Sequence, residues 1–504
     1  MYKFLSIDRT FGPKYPRAIA LVERLALFNR INALAEACGH GTMHEYLEGM
    51  GEAGGIYSTD PVRHIPDCET PSVLYANHPL GFADGIAAMR LMLADGQSFR
   101  MMAARVVDIP PAAQPYGITV DASGRDKAFN GRAMARILRE FGRDYSRLFV
   151  FPSGLTSHLE LPSLTPTDQP WSDAYWRIAQ RASANLIPLW FSGRASWSSY
   201  LLFLLLGRSG RVALPHEFFR RRKDPLIVRI GAPIPAASTV FFGDQRAAAL
   251  RAASYGLETN PGPDPALWAP DAPADPQPVT SCEIAVHTPE DVNRNSILAL
   301  RRACLGEDAW TDADGLARHV TFYADSRCVA ACRLLDWGSI DQVTLDRVSA
   351  VHSVFVPDAT TLRDHRIVEF GELCVQPGFD DPILLDQFAS ALRTAIFASG
   401  EVTAAIGVVS LAAQNPVLAA AQFEFARRNA PSPLASHFKP KQELITPSRH
   451  HDFHPSRIRY DEQPSPNALP SALRNHLALG ARLGQSANWA QRGSRASILA
   501  TMTR

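Results

Sequence analysis

Residues 258–280, ETNPGPDPALWAPDAPADPQPVT, hold seven prolines in 23 positions. Proline fixes φ and has no amide hydrogen, so this density blocks helices and strand ladders and favours an extended spacer. It divides the 504-residue chain near its middle. A chain of this length is expected to form more than one domain. The resulting boundaries are a first domain at 1–257, a linker at 258–281 and a second domain at 282–504. Within the second domain, 430–470 is rich in Pro, Ser and His and reads as an irregular insertion. No internal repeat is evident.

The first half alternates helical and strand-like patterns. Residues 16–37 and 127–141 read as amphipathic helices, the second with Phe129, Met134, Ile137, Leu138 and Phe141 on one face. Residues 72–76, 148–151, 186–191 and 226–230 read as short buried strands. That alternation predicts an α/β domain. The second half, with strands at 283–287, 328–335, 367–375 and 404–409 and helices at 290–304 and 383–398, predicts a smaller mixed α+β domain. Near the end, Leu473, Leu477, Leu479 and Leu483 fall at helical spacing.

Several functional classes are disfavoured. A net charge of +1 gives no global attraction for nucleic acid. The longest candidate apolar run, Leu201–Leu206, falls far short of the ~20 residues that span a bilayer. The first residues, MYKFLSIDRTFGPKYP, lack an apolar signal-peptide region, so the cytoplasm is the expected compartment. Seven cysteines without a CxxC pair predict neither a disulfide framework nor a zinc site.

Two constellations carry chemistry. The first is Asn77-His78-Pro79-Leu80-Gly81-Phe82-Ala83-Asp84-Gly85, directly after a predicted strand. A histidine with a carboxylate six residues on can form a His–Asp pair, in which the Asp orients the imidazole and stabilises its protonated form. The plainer alternative is a loop histidine beside a first-turn carboxylate of a helix. Phe151-Pro152-Ser153-Gly154 then follows a second strand as a turn whose backbone N–H groups suit a phosphate or an oxyanion. Ile187–Arg194 (IPLWFSGR) and Leu214–Phe219 (LPHEFF) come later.

Together these pieces resemble the glycerolipid (lysophospholipid) acyltransferase superfamily over residues 15–240. The hemolysin-like branch, which includes lyso-ornithine lipid O-acyltransferases, is the nearest likeness. Its first block is typically N-H-P-L-G-G-L-D-G, and this chain reads NHPLGFADG. The resemblance implies that His78 is a general base and Asp84 its partner. It implies an acyl thioester donor, carried by acyl carrier protein or coenzyme A, with no resident cofactor or metal. Asn77, Phe151, Pro152, Ser153, Gly154, Arg125, Lys127 and Arg194 fall where such enzymes bind substrate; Arg125 and Lys127 also read as solvated helix charges. One departure stands out: the family glutamate of F-P-E-G is replaced by Ser153.

The second constellation runs through Asp314 and His319, then Cys332-Arg333-Leu334-Leu335, then Glu369-Phe370-Gly371-Glu372-Leu373-Cys374-Val375-Gln376-Pro377. This order resembles the GNAT-type acyltransferase domain of hemolysin-like proteins and ornithine N-acyltransferases, over residues 282–504. The resemblance implies amine acylation, for which Glu369 is a candidate base. A strand glutamate paired with an arginine is the plainer alternative. Glu372 replaces the arginine of E-L-G-R, and Asp380-Asp381 stand where an R-G pair opens the following helix. Carboxylates there would repel a donor phosphate.

The order of the two domains resembles the fused bifunctional ornithine lipid synthases. The implied activities are N-acylation of an amino acid and O-acylation of the resulting lyso-lipid. A single O-acyltransferase with a GNAT-like binding domain, and a non-catalytic scaffold for membrane or carrier protein, remain alternatives. Residues 208–224 carry six basic and two acidic side chains next to Leu201–Leu206, a pattern suited to peripheral contact with an anionic membrane at its cytoplasmic face. A buried strand followed by a solvated helix is the alternative there. His450, His451 and His454 read as a solvated loop.

Overall fold

The computed structural model describes residues 23–24, 27–56, 65–105, 109–122, 124–161, 164–206, 213–220, 226–259, 281–305, 309–358, 365–376, 379, 382–412, 415–432, 434–441, 453–489 and 495–503. The chain forms two compact units. Unit 1 comprises 1–268 with 447–462, and unit 2 comprises 269–446 with 463–504. The region 430–470 is therefore shared between the units. Its described part in unit 1 is held by a reciprocal pair of bonds, one backbone and one to a side chain: Asp244 N–H donates to Arg459 O and Arg459 N–H donates to Asp244 Oδ1, each at 2.9 Å. Phe453 meets Phe242 edge-on beside them. Apart from Glu258 and Thr259, the proline-rich stretch lies outside the described residues.

Unit 1 opens with helices α1 (Phe28–Gly39) and α2 (Met43–Gly54). Leu27, at φ 62°, stands before α1, so the helix expected across 16–37 is interrupted within its described part. The strands are β1 (Ser72–Ala76), β2 (Phe99–Ala104), β3 (Gly117–Val120), β4 (Arg147–Val150), β5 (His158–Glu160), β6 (Thr165–Thr167), β7 (Asn185–Phe191), β8 (Val228–Ile230) and β9 (Ile234–Pro235). The main sheet runs β3-β2-β4-β1-β7-β8, with β9 also on β7. Its first five strands pair parallel; β8 and β9 pair antiparallel to β7.

Parallel pairing requires crossovers. Helices α3 (Phe82–Asp95), α4 (Lys127–Glu140) and α5 (Ala174–Arg181) supply them. β1 is buried along its whole length because it has strands on both sides and layers on both faces. The crossover from β1 leads to β2 on one side, whereas the chain leaving β4 reaches β7 on the other. The carboxyl ends of β1, β4 and β7 therefore border one crevice at a switch in chain direction, where open α/β sheets bind ligands. Helices α6 (Trp197–Leu206), α7 (Leu214–Arg220) and α8 (Arg246–Gly256) complete the unit. The Leu201–Leu206 run is thus helical, not the buried strand that one sequence alternative allowed.

Unit 2 holds β10 (Cys282–His287), β11 (Arg318–Ala324), β12 (Arg327–Asp336), β13 (Phe355–Pro357), β14 (Ile367–Val375), β15 (Ala404–Ala412), β16 (Phe438–Pro440), β17 (Arg482–Trp489) and β18 (Arg495–Thr503). Its helices are α9 (Arg294–Leu305), α10 (Gln342–Val348), α11 (Ala350–Val354), α12 (Pro382–Phe397), α13 (Pro416–Asn429) and α14 (Ser471–Ala478). The sheet order is β10-β11-β12-β14-β15-β18-β17. All these pairs are antiparallel except β14–β15. The apolar spacing of Leu473–Leu483 does not mark one helix. α14 stops at Ala478, Gly480 turns at φ 78°, and Leu483 belongs to β17.

The β14–β15 pair is parallel only from Ile367–Phe370 opposite Ala404–Gly407. Both strands continue, so they part beyond that point. β14 also carries a bulge, where Gly371 faces Arg333 and Cys374 faces Ala331. Glu372 within it adopts φ 48°, a conformation rare without glycine. Gly407 sits at the last paired rung. A Cβ there would lie 2.8 Å from the Phe370 ring and closer still to its carbonyl oxygen. Gly407→Ala is therefore expected to destabilise unit 2 by about 1–3 kcal/mol. Hydrogen exchange across β14 and β15 measures this, and unchanged protection would contradict the close approach.

Candidate active site

Three strand ends build the site in unit 1. Asn77 follows β1, and its side chain locks onto β7: Nδ2 donates to Phe191 O at 3.0 Å, and Phe191 N–H donates to Asn77 Oδ1 at 2.7 Å. Asn77 thus spans two parallel strands where their ladder ends. His78 comes next. Its ring stacks on Phe151, at the end of β4, with centroids 3.9 Å apart and planes 19° apart.

Asp84 reaches back from the first turn of α3. One carboxylate oxygen, Oδ2, accepts from Leu80 N–H at 2.7 Å and Gly81 N–H at 3.0 Å and lies 3.1 Å from His78 Nδ1. The tight loop needs Gly81 at φ 71°, where an added Cβ would press Thr156 and Leu214. Asp84 is fully buried, and the helix N-terminus favours its negative charge. With Nδ1–H directed at the carboxylate, the Nε2 lone pair of His78 is left as proton acceptor. The imidazole is partly exposed, so that nitrogen has access from outside.

The backbone of His78 is held as well. Ser157 N–H donates to His78 O at 2.9 Å, and His78 N–H donates to Asp168 Oδ1 at 3.3 Å. Ser157 Oγ closes the ring by donating to the same Asp168 oxygen at 2.5 Å. Trp171 Nε1–H donates to Asp168 Oδ2 at 3.1 Å, and Asp168 N–H donates to the Tyr255 hydroxyl. Asp168 is buried, and desolvation pushes its carboxyl above the ordinary range against these donors. The sequence reading missed this residue. Its only local signal is a carboxylate three positions before a tryptophan in TDQPW.

The turn Phe151-Pro152-Ser153-Gly154 closes through Gly154 N–H to Phe151 O at 2.9 Å, with Gly154 at φ 64°. Ser153, in the place of the family glutamate, donates its hydroxyl back to Leu155 O at 2.7 Å. Pro152 O accepts from Ser172 N–H. Gly154 faces Ala122 of the β3–α4 loop, which also carries Arg125; Lys127 opens α4, and both basic residues are exposed. Arg194 is exposed with its guanidinium 5.4 Å from the Trp197 ring. Thus Asn77, His78, Asp84 and Phe151 form one interlocked cluster. The turn borders it through Phe151; Arg125 and Lys127 follow β3 and Arg194 follows β7, at the carboxyl edge of the sheet.

A second buried carboxylate, Glu217 of α7, was also missed. It accepts from the hydroxyls of Ser196 and Ser199 and from Ser196 N–H. Burial alone would raise its carboxyl, but these donors outweigh it and hold the group below the usual range.

In unit 2, Glu369 is buried in β14. Oε2 accepts from Trp337 Nε1–H at 3.1 Å and from the Ser349 hydroxyl, and Oε1 accepts from Ala350 N–H at 2.8 Å. Its partners are thus a tryptophan, a serine and the N-terminus of α11, rather than an arginine. Asp314 is fully buried between Arg301, at 2.6 and 2.9 Å, and Arg333 at 3.4 Å, with Thr311 donating twice. Burial opposes ionisation, yet the two guanidiniums and Thr311 hold its carboxyl well below the ordinary range. Arg333 also approaches Glu372 at 3.8 Å. His319 is buried, lies 3.0 Å from Asp314 O through Nε2 and stacks on Trp310; burial lowers its affinity for a proton. Asp380 and Asp381 lie outside the described residues. Among the described residues, no cluster of three or more His, Cys, Asp or Glu side chains could hold a metal ion.

No family model matches the chain, and no curated protein matches it. Among solved structures, the chain is similar to the 1-acyl-sn-glycerophosphate (LPA) acyltransferase PlsC from Thermotoga maritima, with 13% identity and a TM-score of 0.24 over 38% of this chain and 70% of that one. It is similar to an acyl-CoA N-acyltransferase from Pseudomonas aeruginosa, with 17% identity and a TM-score of 0.18 over 26% and 81%. A third is the loading GNATL domain of CurA from Lyngbya majuscula, with 13% identity and a TM-score of 0.25 over 44% and 98%.

Two outcomes follow from the geometry. Asp168→Ala strands the His78 N–H and the Ser157 and Trp171 donors, and is expected to cost roughly 3 kcal/mol or more of local stability. Hydrogen exchange of the 77–84 loop reads this loss. Asp314→Asn leaves two buried guanidiniums uncompensated, and is expected to cost unit 2 about 3–5 kcal/mol. Because folding depresses the Asp314 carboxyl, its contribution is fully present above the unfolded value near about 4 and is lost as pH falls below it. Acid titration of α9 and β12 protection should show this loss in the natural chain and less of it in Asp314→Asn.

Proposed function

We propose that unit 1 transfers an acyl group from a thioester to the hydroxyl of a lipid acceptor. The observation that carries this reading is the His78 imidazole: its Nδ1 faces Asp84, its ring rests on Phe151, its peptide groups are held on both sides, and Nε2 is left to accept a proton. In the proposed step the acceptor oxygen attacks the thioester carbonyl carbon while its proton passes to Nε2. The tetrahedral adduct then collapses, the C–S bond breaks, and the imidazolium returns the proton to the leaving thiolate. Asp84 acts by stabilising the imidazolium. Arg125 and Lys127 supply positive charge for an anionic head group or for the phosphate of the donor carrier. Coenzyme A and the phosphopantetheine arm of acyl carrier protein are the two donor classes.

For unit 2 we propose binding of the acyl-thioester donor as its principal role. Beyond Phe370 and Gly407 the facing sides of β14 and β15 are no longer paired with each other. An extended chain bearing amides can bond to such strand edges. Amine acylation, for instance of ornithine, is the second reading, and the same parted strands favour it. Against it, Glu369 has both oxygens engaged and is buried, so its carboxylate serves better as a brace for α11 than as a base.

The test is a mass-spectrometric profile of acyl transfer by the whole chain, offered acyl-CoA or acyl carrier protein thioesters with lyso-lipids and with free ornithine. His78→Ala is expected to lower O-acylation by roughly 10²–10⁴-fold while leaving the fold intact; an unchanged rate would overturn the assignment. Glu369→Gln is expected to leave O-acylation unchanged. Production of an amide-linked lipid by the natural chain and its loss in Glu369→Gln would establish the second reading instead.

A further inference from the structure

Helix α6, WSSYLLFLLL, is apolar almost all round yet lies at the surface. A helix of this kind is normally enclosed by protein or lipid. Its inner side is well seated: Tyr200 and Phe203 are buried with Ala195 and pack against Leu159 and Leu214. Its other side carries Trp197, Leu201, Leu204 and Leu205, at 53%, 55%, 50% and 71% exposure. Their spacing of i, i+4, i+7 and i+8 puts them on one face. β5 packs against α6, and its hairpin with β6 exposes Leu161 and Leu164 at 56% and 55%. A long amphipathic groove partner is not required to explain such a face; a flat apolar phase suffices.

The sequence flanking α6 is basic on balance. Arg194 lies over Trp197 at its start. After its end the sequence supplies Arg208, Arg211, Arg220, Arg221, Arg222 and Lys223 against Glu217 and Asp224. Glu217 is turned inward onto Ser196 and Ser199, and the exposed Arg220 approaches it at 3.9 Å. The patch also borders the candidate site. α6 leaves the carboxyl end of β7, and Leu214 of α7, which packs with α6, is 3.3 Å from the position a Cβ would take on Gly81, between His78 and Asp84.

We infer that the exposed face of α6 and the β5–β6 hairpin form the surface by which this protein seats on an anionic lipid bilayer, bringing the His78 crevice to the membrane interface. Leucines enter the acyl boundary, Trp197 sits at head-group level, and Arg194 and Arg220 meet lipid phosphates. This deepens the lipid-acceptor reading by naming the route of the acceptor, but membrane seating itself is measurable without any turnover.

The experiment is vesicle flotation of the whole chain with phosphatidylcholine alone and with added phosphatidylglycerol, comparing the natural chain, Leu201→Glu/Leu205→Glu and Val343→Glu. Val343 is an exposed apolar residue of unit 2 and serves as the control. The natural chain and the control are expected to float with phosphatidylglycerol vesicles and to be released by high salt. The double variant should lose at least tenfold in partitioning. A natural chain that stays unbound, or a double variant that floats equally, overturns the proposal; sedimentation of the same samples then shows whether the face instead joins two copies. A short-chain, water-soluble acceptor separates this outcome from failure of the proposed reaction. Leu201→Glu/Leu205→Glu should acylate it at the natural rate and lose activity only on vesicle-embedded acceptor.

Discussion

Parallel pairing of β1 with both β4 and β7 sets the geometry on which the candidate site depends. Parallel strands end on the same side, so Asn77-His78, Phe151-Pro152 and Ser192-Gly193 emerge together although more than a hundred residues separate the first from the last. Asn77 then substitutes for the missing rung between β1 and β7, bonding both peptide groups of Phe191. The histidine one residue later has little freedom left. Its carbonyl and N–H are tied to Ser157 and Asp168, and Phe151 fixes the plane of the ring. Such over-determination fixes the direction of the imidazole, which a side chain acting on a bound ligand would require.

Buried carboxylates divide the molecule by what they leave open. Asp84, Asp168 and Glu217 are buried carboxylates of unit 1, each accepting hydrogen bonds from the surrounding fold. Between them they immobilise a loop, a strand end and a helix while the imidazole remains partly exposed. In unit 2 the corresponding carboxylates end in closed arrangements. Asp314 neutralises two arginines, and Glu369 caps α11 and holds Trp337. Those networks explain why acidic residues recur there at strand and turn positions. They also show how an acidic residue at a suggestive position in a motif can serve the fold.

The His78–Asp84 pair was legible through the resemblance of NHPLGFADG to a known block, since the six-residue spacing alone also allowed a loop histidine beside a first-turn carboxylate. The strands bordering the site were legible for a local reason: short, continuous apolar runs ended by Gly, Pro or Asn. Asp168 was not, because its meaning comes from His78 and Tyr255, which lie 90 residues before it and 87 after it. Glu217 was hidden in the same way by serines in another helix. Period alone left one alternative open and produced one misreading. Six consecutive apolar residues at 201–206 cannot distinguish a strand from a helix, and the leucine stripe at 473–483 runs straight through the Gly480 turn. Glu369 was placed correctly on a strand, but only the fold could supply Trp337 and Ser349 as its partners.

Ser153 shows what the departure from F-P-E-G does physically. A glutamate at this point of the turn would extend a charged acceptor into the crevice. The serine hydroxyl instead turns back to Leu155 O and spends its donor on closing the loop. The turn keeps its backbone shape, since Gly154 still takes the left-handed conformation and still bonds Phe151 O. What is lost is a negative group near the place where a head group would sit. The groups left at that edge are basic: Arg125 on the loop opposite Gly154, Lys127 at the start of α4, and Arg194 after β7. A neutral turn beside basic side chains makes this edge of the crevice more favourable to anionic than to cationic groups. The His78–Asp84 contact and the stack of His78 on Phe151 do not involve the Ser153 side chain.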